Sequence, residues 1–426
     1  MSKESAAERP NIIWIMTDDL GYRELGCYGQ EMLRTPNLDR MAAEGMRFTD
    51  CCTGSPLCAP CRSVLMTGLH TGHTRVRDNF ARVGGVPPQG RVPLEPEDLT
   101  VAELLKDAGY ATGIAGKWGL GEPGTDGVPN KKGFDQWFGY LNQRRAHSYY
   151  PDYLWHNQQK VELPGNRDDG RAVWSHDLIA EFGLDFIRDH AHEPFFLYCA
   201  WTLPHGRYEI PEPGPYADRE WPEEDRAYAA MVDRIDRDVQ DILDLLKELD
   251  VDEQTIVFFC SDNGAARRCE GLFDSCGELR GKKGHVYEGG IRTPMIVRWP
   301  GRVPAGTLRS TPWYFADFLP TAAELGRTEA PEDVDGLSVL PALLGEDQDL
   351  SERTMYWELP KEVLHQAARR GEWKAVRMGP EGNVELYNLD ADPGEQVDLA
   401  GEHPGAAEEF ADYLDAAHTE SPYWPD

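Results

Sequence analysis

The stretch Asn11-Ile12-Ile13-Trp14-Ile15-Met16-Thr17-Asp18-Asp19 decides the fold. Its apolar residues do not alternate with polar ones, so it reads as a strand buried on both faces, and it stops at two carboxylates. Three other runs share that form. Ala111 to Ala115 leads to Lys117, Phe195 to Trp201 leads to His205, and Ile256 to Cys260 leads to Asp262-Asn263. Helical patterns separate these runs. Thr35-Pro36 opens one that stops at Gly45, and Thr100 with Glu103 makes a capping box before Ala102 to Ala108. Glu223 to Leu249 carries Met231, Ile235, Val239, Ile242, Leu246 and Leu249 at steps of three and four, one buried stripe. This alternation predicts an α/β fold: a large, mostly parallel central sheet with helices on both faces. Ligands of such sheets sit beyond the carboxyl ends of the strands, so the four polar ends are expected to share one crevice.

Beyond about Pro300 the alternation loosens. Met355-Tyr356-Trp357, Trp373 to Met378 and Val384 to Tyr387 predict a small antiparallel sheet, with a last helix near Ala406 to Ala417. The expected division is a catalytic domain over 1–345 and a small C-terminal α+β subdomain over 346–426.

The formal net charge of -31 over 426 residues opposes binding to nucleic acid and to anionic membrane surfaces. No apolar run approaches the roughly 20 residues that cross a bilayer, so no membrane span is expected. An anionic substrate would have to be met by a local cluster of positive charge. Met1 to Pro10 is polar and Asn11 to Met16 is too short for a signal-peptide core. The expected location is cytoplasmic as written, or periplasmic or secreted if an export signal was trimmed. Nine irregularly spaced cysteines lean towards a reducing compartment.

One of those cysteines stands in Leu57-Cys58-Ala59-Pro60-Cys61-Arg62. Pro60 is expected to open a helix running to Met66, which sets Cys58 before free N–H donors and the positive helix end. Taken alone, such a cysteine reads as a small buried hydrophobe. Yet Cys58-Ala59-Pro60-Cys61-Arg62, followed by Thr67-Gly68, resembles the signature of the type I sulfatases, arylsulfatase-like members of the alkaline phosphatase superfamily. The resemblance implies that a formylglycine-generating enzyme oxidises Cys58 to an aldehyde whose hydrate is the nucleophile. A geminal diol has a second hydroxyl with which to expel the sulfate it acquires, and serine has none.

Asp18, Asp19, Asp262 and Asn263 are hard oxygen donors, although each pair alone reads as a turn. The resemblance makes them a metal site together with the group derived from Cys58, with calcium expected and magnesium the alternative. It also implies that Arg62, Lys117 and Lys283 clamp the sulfate, that Asp262 is the general base, and that His205 shares the general-acid role with Lys283. The chain departs from the family at Gly116-Lys117-Trp118-Gly119-Leu120-Gly121, where many sulfatases have histidine in place of Gly119. In the family that histidine contacts the nucleophile and takes the second diol proton. His147 is the candidate to fill the vacancy or to touch substrate, and Gln143 and Arg292 are further substrate-binding candidates. The aromatic run from Tyr149 to His156 is a candidate sugar slot. The expected activity is hydrolysis of sulfate esters of saccharides or aryl alcohols. The alternatives are a phosphodiesterase or phosphonate monoester hydrolase on the same fold, and a non-catalytic anion-binding protein if Cys58 stays a thiol.

Overall fold

A computed structural model describes residues 9–424, apart from 85, 87–89, 267, 268 and 270. The polar start, read above as free of an export signal, lies outside the described residues as far as residue 8.

A sheet of ten strands runs through the molecule. Asn11–Thr17 lies at its centre, parallel to Phe195–Ala200 on one side and to Thr255–Ser261 on the other. Ala111–Lys117 pairs in parallel with the far side of Phe195–Ala200. The four apolar runs are therefore neighbouring strands that point the same way. Gln136–Tyr140 follows as a fifth parallel strand, which its short, glycine-interrupted run had hidden. Antiparallel pairing adds Tyr153–His156 and Gln159–Glu162 beyond the fifth strand, and Met295–Arg298 and Met46–Phe48 beyond Thr255–Ser261, where Thr307–Arg309 forms the edge in parallel with Met46–Phe48.

Two-sided burial explains why the central strand does not alternate. Ile12, Trp14 and Met16 enter one core with Val64, Leu65, Leu105 and Phe318, while Ile13 and Ile15 enter a second with Met41, Ile179, Ile235 and Val239. Helices Cys58–Thr67, Val101–Asp107 and Phe318–Gly326 cover the first face. Pro36–Glu44, Ser175–His190 and Glu223–Glu248 cover the second. The predicted capping box is present, with Thr100 N–H donating to Glu103 Oε2 at 2.9 Å and Glu103 N–H returning to Thr100 Oγ1 at 3.3 Å.

The tail is a four-stranded antiparallel meander, Thr354–Pro360, Leu364–Arg370, Trp373–Met378 and Val384–Asn388, backed by helix Pro404–Ala416. Its second strand escaped the sequence reading because Leu-His-Gln-Ala-Ala-Arg-Arg has no β-branched residue. Small side chains suit it to its place, with Ala367 against the main core and Ala368 against the last helix, while Arg369 Nη2 meets Asp50 Oδ2 at 2.6 Å. One face of the meander belongs to the main core through Met355, Trp357, Leu359 and Val376.

A buried ion cluster ties the meander down. Lys374 Nζ lies 2.8 Å from Glu288 and 2.8 Å from Glu395, with all three side chains withdrawn from solvent. Among the described residues, no helix is long and apolar enough to cross a membrane. Cys269 and Cys276 form a disulfide, a pairing that the sequence reading did not draw. Lys374→Met would leave two buried carboxylates facing each other and is expected to cost about 3–5 kcal/mol in urea unfolding. Arg188→Met, which breaks an exposed bridge to Asp185, should cost less than about 1 kcal/mol in the same assay.

Candidate active site

Backbone bonds gather the strand ends. Asp18 N–H donates to Leu203 O at 2.9 Å and Asp262 N–H donates to Thr17 O at 3.0 Å, which draws the segments after three parallel strands together. Asp19 takes a left-handed conformation, φ 70°, that aspartate tolerates better than most residues. Its N–H then donates to Asp262 Oδ1 at 3.2 Å.

The helix expected from Pro60 begins at Cys58, two residues earlier than the proline had indicated. Leu57 is its extended cap, and Cys61 N–H donates to Leu57 O at 3.0 Å. Pro60 falls at the third position, where the N–H it lacks would have no helical partner. Asn79 Oδ1 accepts from Ala59 N–H at 3.0 Å, a cap from a distant loop that no local pattern announced. Cys58 is 2% exposed.

Around it stand three carboxylates, Asp18, Asp19 and Asp262, and three cations, Arg62, Lys117 and Lys283. Cys58 Sγ lies 3.5 Å from Asp18 Oδ1, and Lys283 Nζ donates to Cys58 Sγ at 3.4 Å. Lys117 Nζ donates to Asp18 Oδ2 at 2.5 Å, and Lys283 Nζ also meets Asp19 Oδ1. Arg62 is fully buried. It reaches Asp262 Oδ2 at 2.9 Å and Lys117 O at 2.7 Å. His205 Nε2 stands 3.5 Å from Asp19 Oδ2, and Tyr149 OH fixes the turn behind it by donating to Thr202 O at 2.7 Å and His205 O at 3.0 Å. Thus the cations that an anion requires are present, each facing a carboxylate.

Burial pushes Asp18 up, but Lys117, with His205, Lys283 and Arg62, holds it well below the usual carboxylate range. Asp262 goes the other way: burial and the neighbouring Asp18 raise it above its ordinary value against the pull of Arg62. Burial also pushes the Cys58 thiol up to about 12, with Asp18 and Asp262 adding to the effect. One site therefore holds an acid-resistant carboxylate beside one that accepts a proton more readily.

The donor set fits a hard divalent cation. Asp18, Asp19 and Asp262 offer carboxylate oxygens within reach of one another. Asn263 donates its Nδ2 to Asp19 Oδ1 at 2.8 Å, while its buried Oδ1 has no hydrogen-bond partner among the described residues. An acceptor left open beside three carboxylates is what an oxygen-seeking ion needs. Two other groupings of similar residues do not qualify. His70 Nδ1 accepts from Gly72 N–H at 3.1 Å, so its proton sits on the Nε2 that faces Asp335. Asp50 and Glu288, near Cys52, are already matched by Arg369, Arg292 and Lys374.

Not every candidate joins the cluster. Arg292 is corrected to a structural role, because Glu288 Oε2 holds its Nη2 at 2.6 Å, Asp50 stands 3.3 Å away and its Nη1 donates to Thr49 O. His147 does not fill the space at Gly119. It stacks on His205, ring centroids 4.0 Å apart at 11°, and the side chain against Gly119 is that of Gln143. In the aromatic run Tyr149 is buried as a brace, whereas Tyr150 and Tyr153 line a cavity of about 680 Å³ with Arg144, Arg145 and Asp152.

The chain is similar to known proteins along nearly its whole length. The family model described as Sulfatase matches residues 10–327, and that described as N-sulphoglucosamine sulphohydrolase, C-terminal, matches residues 280–415. N-acetylgalactosamine-6-sulfatase of Canis lupus familiaris is 34% identical, over 96% of this chain and 84% of that protein. Arylsulfatase A of Homo sapiens is 31% identical, over 96% and 87%. The solved structure of Ps i-CgsB in complex with k-i-k-neocarrahexaose superposes with a TM-score of 0.86 at 26% identity, covering 98% of this chain and 95% of that one.

Burial, then the charges of His205 and Lys117, lower the His147 ring to about 3 from an ordinary 6.5. A depressed value means that the unfolded chain takes up the proton first as pH falls. The contribution of His147 to stability is thus complete above pH 6.5 and is lost on the way down towards 3. Between pH 7 and 5 the denaturation midpoint of the wild type should fall more than that of His147→Gln, and equal falls would mean that the ring is protonated in the folded protein.

Proposed function

Because this chain belongs to the sulfatase family and is a sulfuric ester hydrolase, we propose that it removes sulfate from a sulfated saccharide with a nucleophile made from Cys58. The observation that carries the reading is the place of Cys58 Sγ, 3.5 Å from Asp18 and 3.4 Å from Lys283 Nζ at the start of a buried helix. A thiol held near 12 supplies almost no thiolate at neutral pH, which supports conversion to the aldehyde. Converted to the aldehyde hydrate, residue 58 would supply one hydroxyl to displace the alcohol from sulfur and a second whose deprotonation expels sulfate, leaving the aldehyde for water to hydrate again.

The surrounding residues divide the remaining work. Asp262, raised by burial and Asp18, takes the proton of the attacking hydroxyl. Lys117, Lys283 and Arg62 offset the charge that gathers on the sulfate oxygens. His205, partly open to solvent, returns a proton to the departing alcohol oxygen. Asp18, Asp19, Asp262 and Asn263 would hold calcium, which supplies a Lewis acid that polarises the sulfate and lowers the pKa of the diol. The saccharide is supported by the relatives and by the polar cavity beside the His147 segment, lined by Asn142, Arg144, Ser148, Tyr150 and Asp152, whose side chains suit the hydroxyls of a sugar.

Produced together with a formylglycine-generating enzyme, the protein should show an aldehyde at residue 58 by mass spectrometry. It should also cleave nitrophenyl sulfate faster than a nitrophenyl phosphate diester, and a sulfated saccharide faster still. Cys58→Ala is expected to lower kcat by about 10³-fold or more. Chelation should abolish turnover, with calcium restoring it better than magnesium. An active protein that holds only a thiol at residue 58 would overturn the nucleophile, and preference for the phosphate diester would overturn the substrate.

A further inference from the structure

Gln143 is the least satisfied polar side chain near the site. It is 3% exposed, and neither its Nε2 nor its Oε1 has a hydrogen-bond partner among the described residues. Folded proteins leave few buried polar groups unmet, because each costs the desolvation that a partner would have offset. The carboxamide is also held in one place by the backbone around it. Trp118 N–H donates to Tyr140 O at 2.9 Å and Gly119 N–H to Leu141 O at 3.1 Å, which lays the segment after Lys117 alongside the one that carries Gln143.

Gly119 is where the two segments meet. A Cβ on Gly119 would stand 2.0 Å from Gln143 Nε2 and 2.9 Å from its Cδ, so the carboxamide occupies the volume that a side chain at 119 would enter. Gly119 also has φ 88°, a conformation that side-chain-bearing residues rarely adopt. Both flanks of the carboxamide belong to the site. Two residues before Gly119, Lys117 Nζ meets Asp18, and four residues after Gln143, His147 stacks on His205.

We propose that Gln143 contacts the reacting group directly, its Nε2 donating to an oxygen of the bound sulfate, and that residue 119 is glycine to leave the carboxamide its room. The inference rests on the sulfate-ester reading above and adds to it a residue that binds without titrating. A carboxamide can hold an oxyanion but cannot take up a proton at neutral pH, so the contact made here is one of position.

Gln143→Leu keeps the size of the side chain and removes its polar atoms. With nitrophenyl sulfate and the converted enzyme, kcat/KM is expected to fall about tenfold or more, the effect of losing a hydrogen bond to a charged group. The melting temperature should hold or rise, because an unmet buried amide has been removed, whereas a purely structural amide would lower it and leave the kinetics alone. In a cycle with Gly119→Ala, the alanine should cost less activity in a Gln143→Ala background than in the wild type, since strain from the positive φ is common to both. Calorimetry of inorganic sulfate on the unconverted protein gives a reading independent of turnover, and there Gln143→Leu should bind about tenfold more weakly. Unchanged sulfate affinity in Gln143→Leu, or a wild type that binds no sulfate, would overturn the inference. Weakened sulfate binding in a protein with no sulfatase turnover would overturn the activity and leave Gln143 in place.

Discussion

A carboxylate withdrawn wholly from water destabilises a fold by several kcal/mol unless opposite charge meets it, and Asp18 is such a carboxylate at the centre of the sheet. Lys117 meets it at 2.5 Å and Arg62 stands 4.0 Å away. Those partners come from the end of another strand and from helix Cys58–Thr67. Neutralising Asp18 therefore requires that strand order, helix position and the crevice between them all be right at once. The same pairing leaves Cys58 at the edge of an ion cluster balanced three against three. Burial then pushes the thiol up, with Asp18 and Asp262 adding to the effect and Lys117 and Lys283 opposing it.

Much of this was legible in the residues, for a physical reason. A strand buried on both faces has to be apolar along its length, so the residue that breaks the run marks where it leaves the core. Asp18, Lys117, His205 and Asp262 were visible as such breaks, and the parallel order of their strands brought them together. Motif resemblance then supplied roles that periodicity alone does not carry.

What stayed hidden depends on which distant side chains share a volume. Asn79 capping Ala59 and Gln143 filling the space at Gly119 both arise from loops, whose course follows from packing against the finished sheet. Arg292 misled because its motif neighbours Lys283, whereas its charge is consumed by Glu288 and Asp50. Leu364–Arg370 was missed because alanine and arginine do not favour strands, yet a slot between two cores selects for small residues.

The tail does more than complete a core. Arg280 donates to Tyr387 OH at 2.7 Å and to Glu395 O at 3.0 Å, and Lys374 grips Glu288, so the loop that presents Lys283 is held at both ends by residues made last. During synthesis the helix of Cys58 leaves the ribosome long before those anchors exist. Another protein can reach Cys58 only while the fold is open, since the thiol is 2% exposed once it closes. The loop of Lys283 is thus fixed against Cys58 only once the tail has been made and packed onto it, so the cluster at the strand ends is the last part of the fold to be locked.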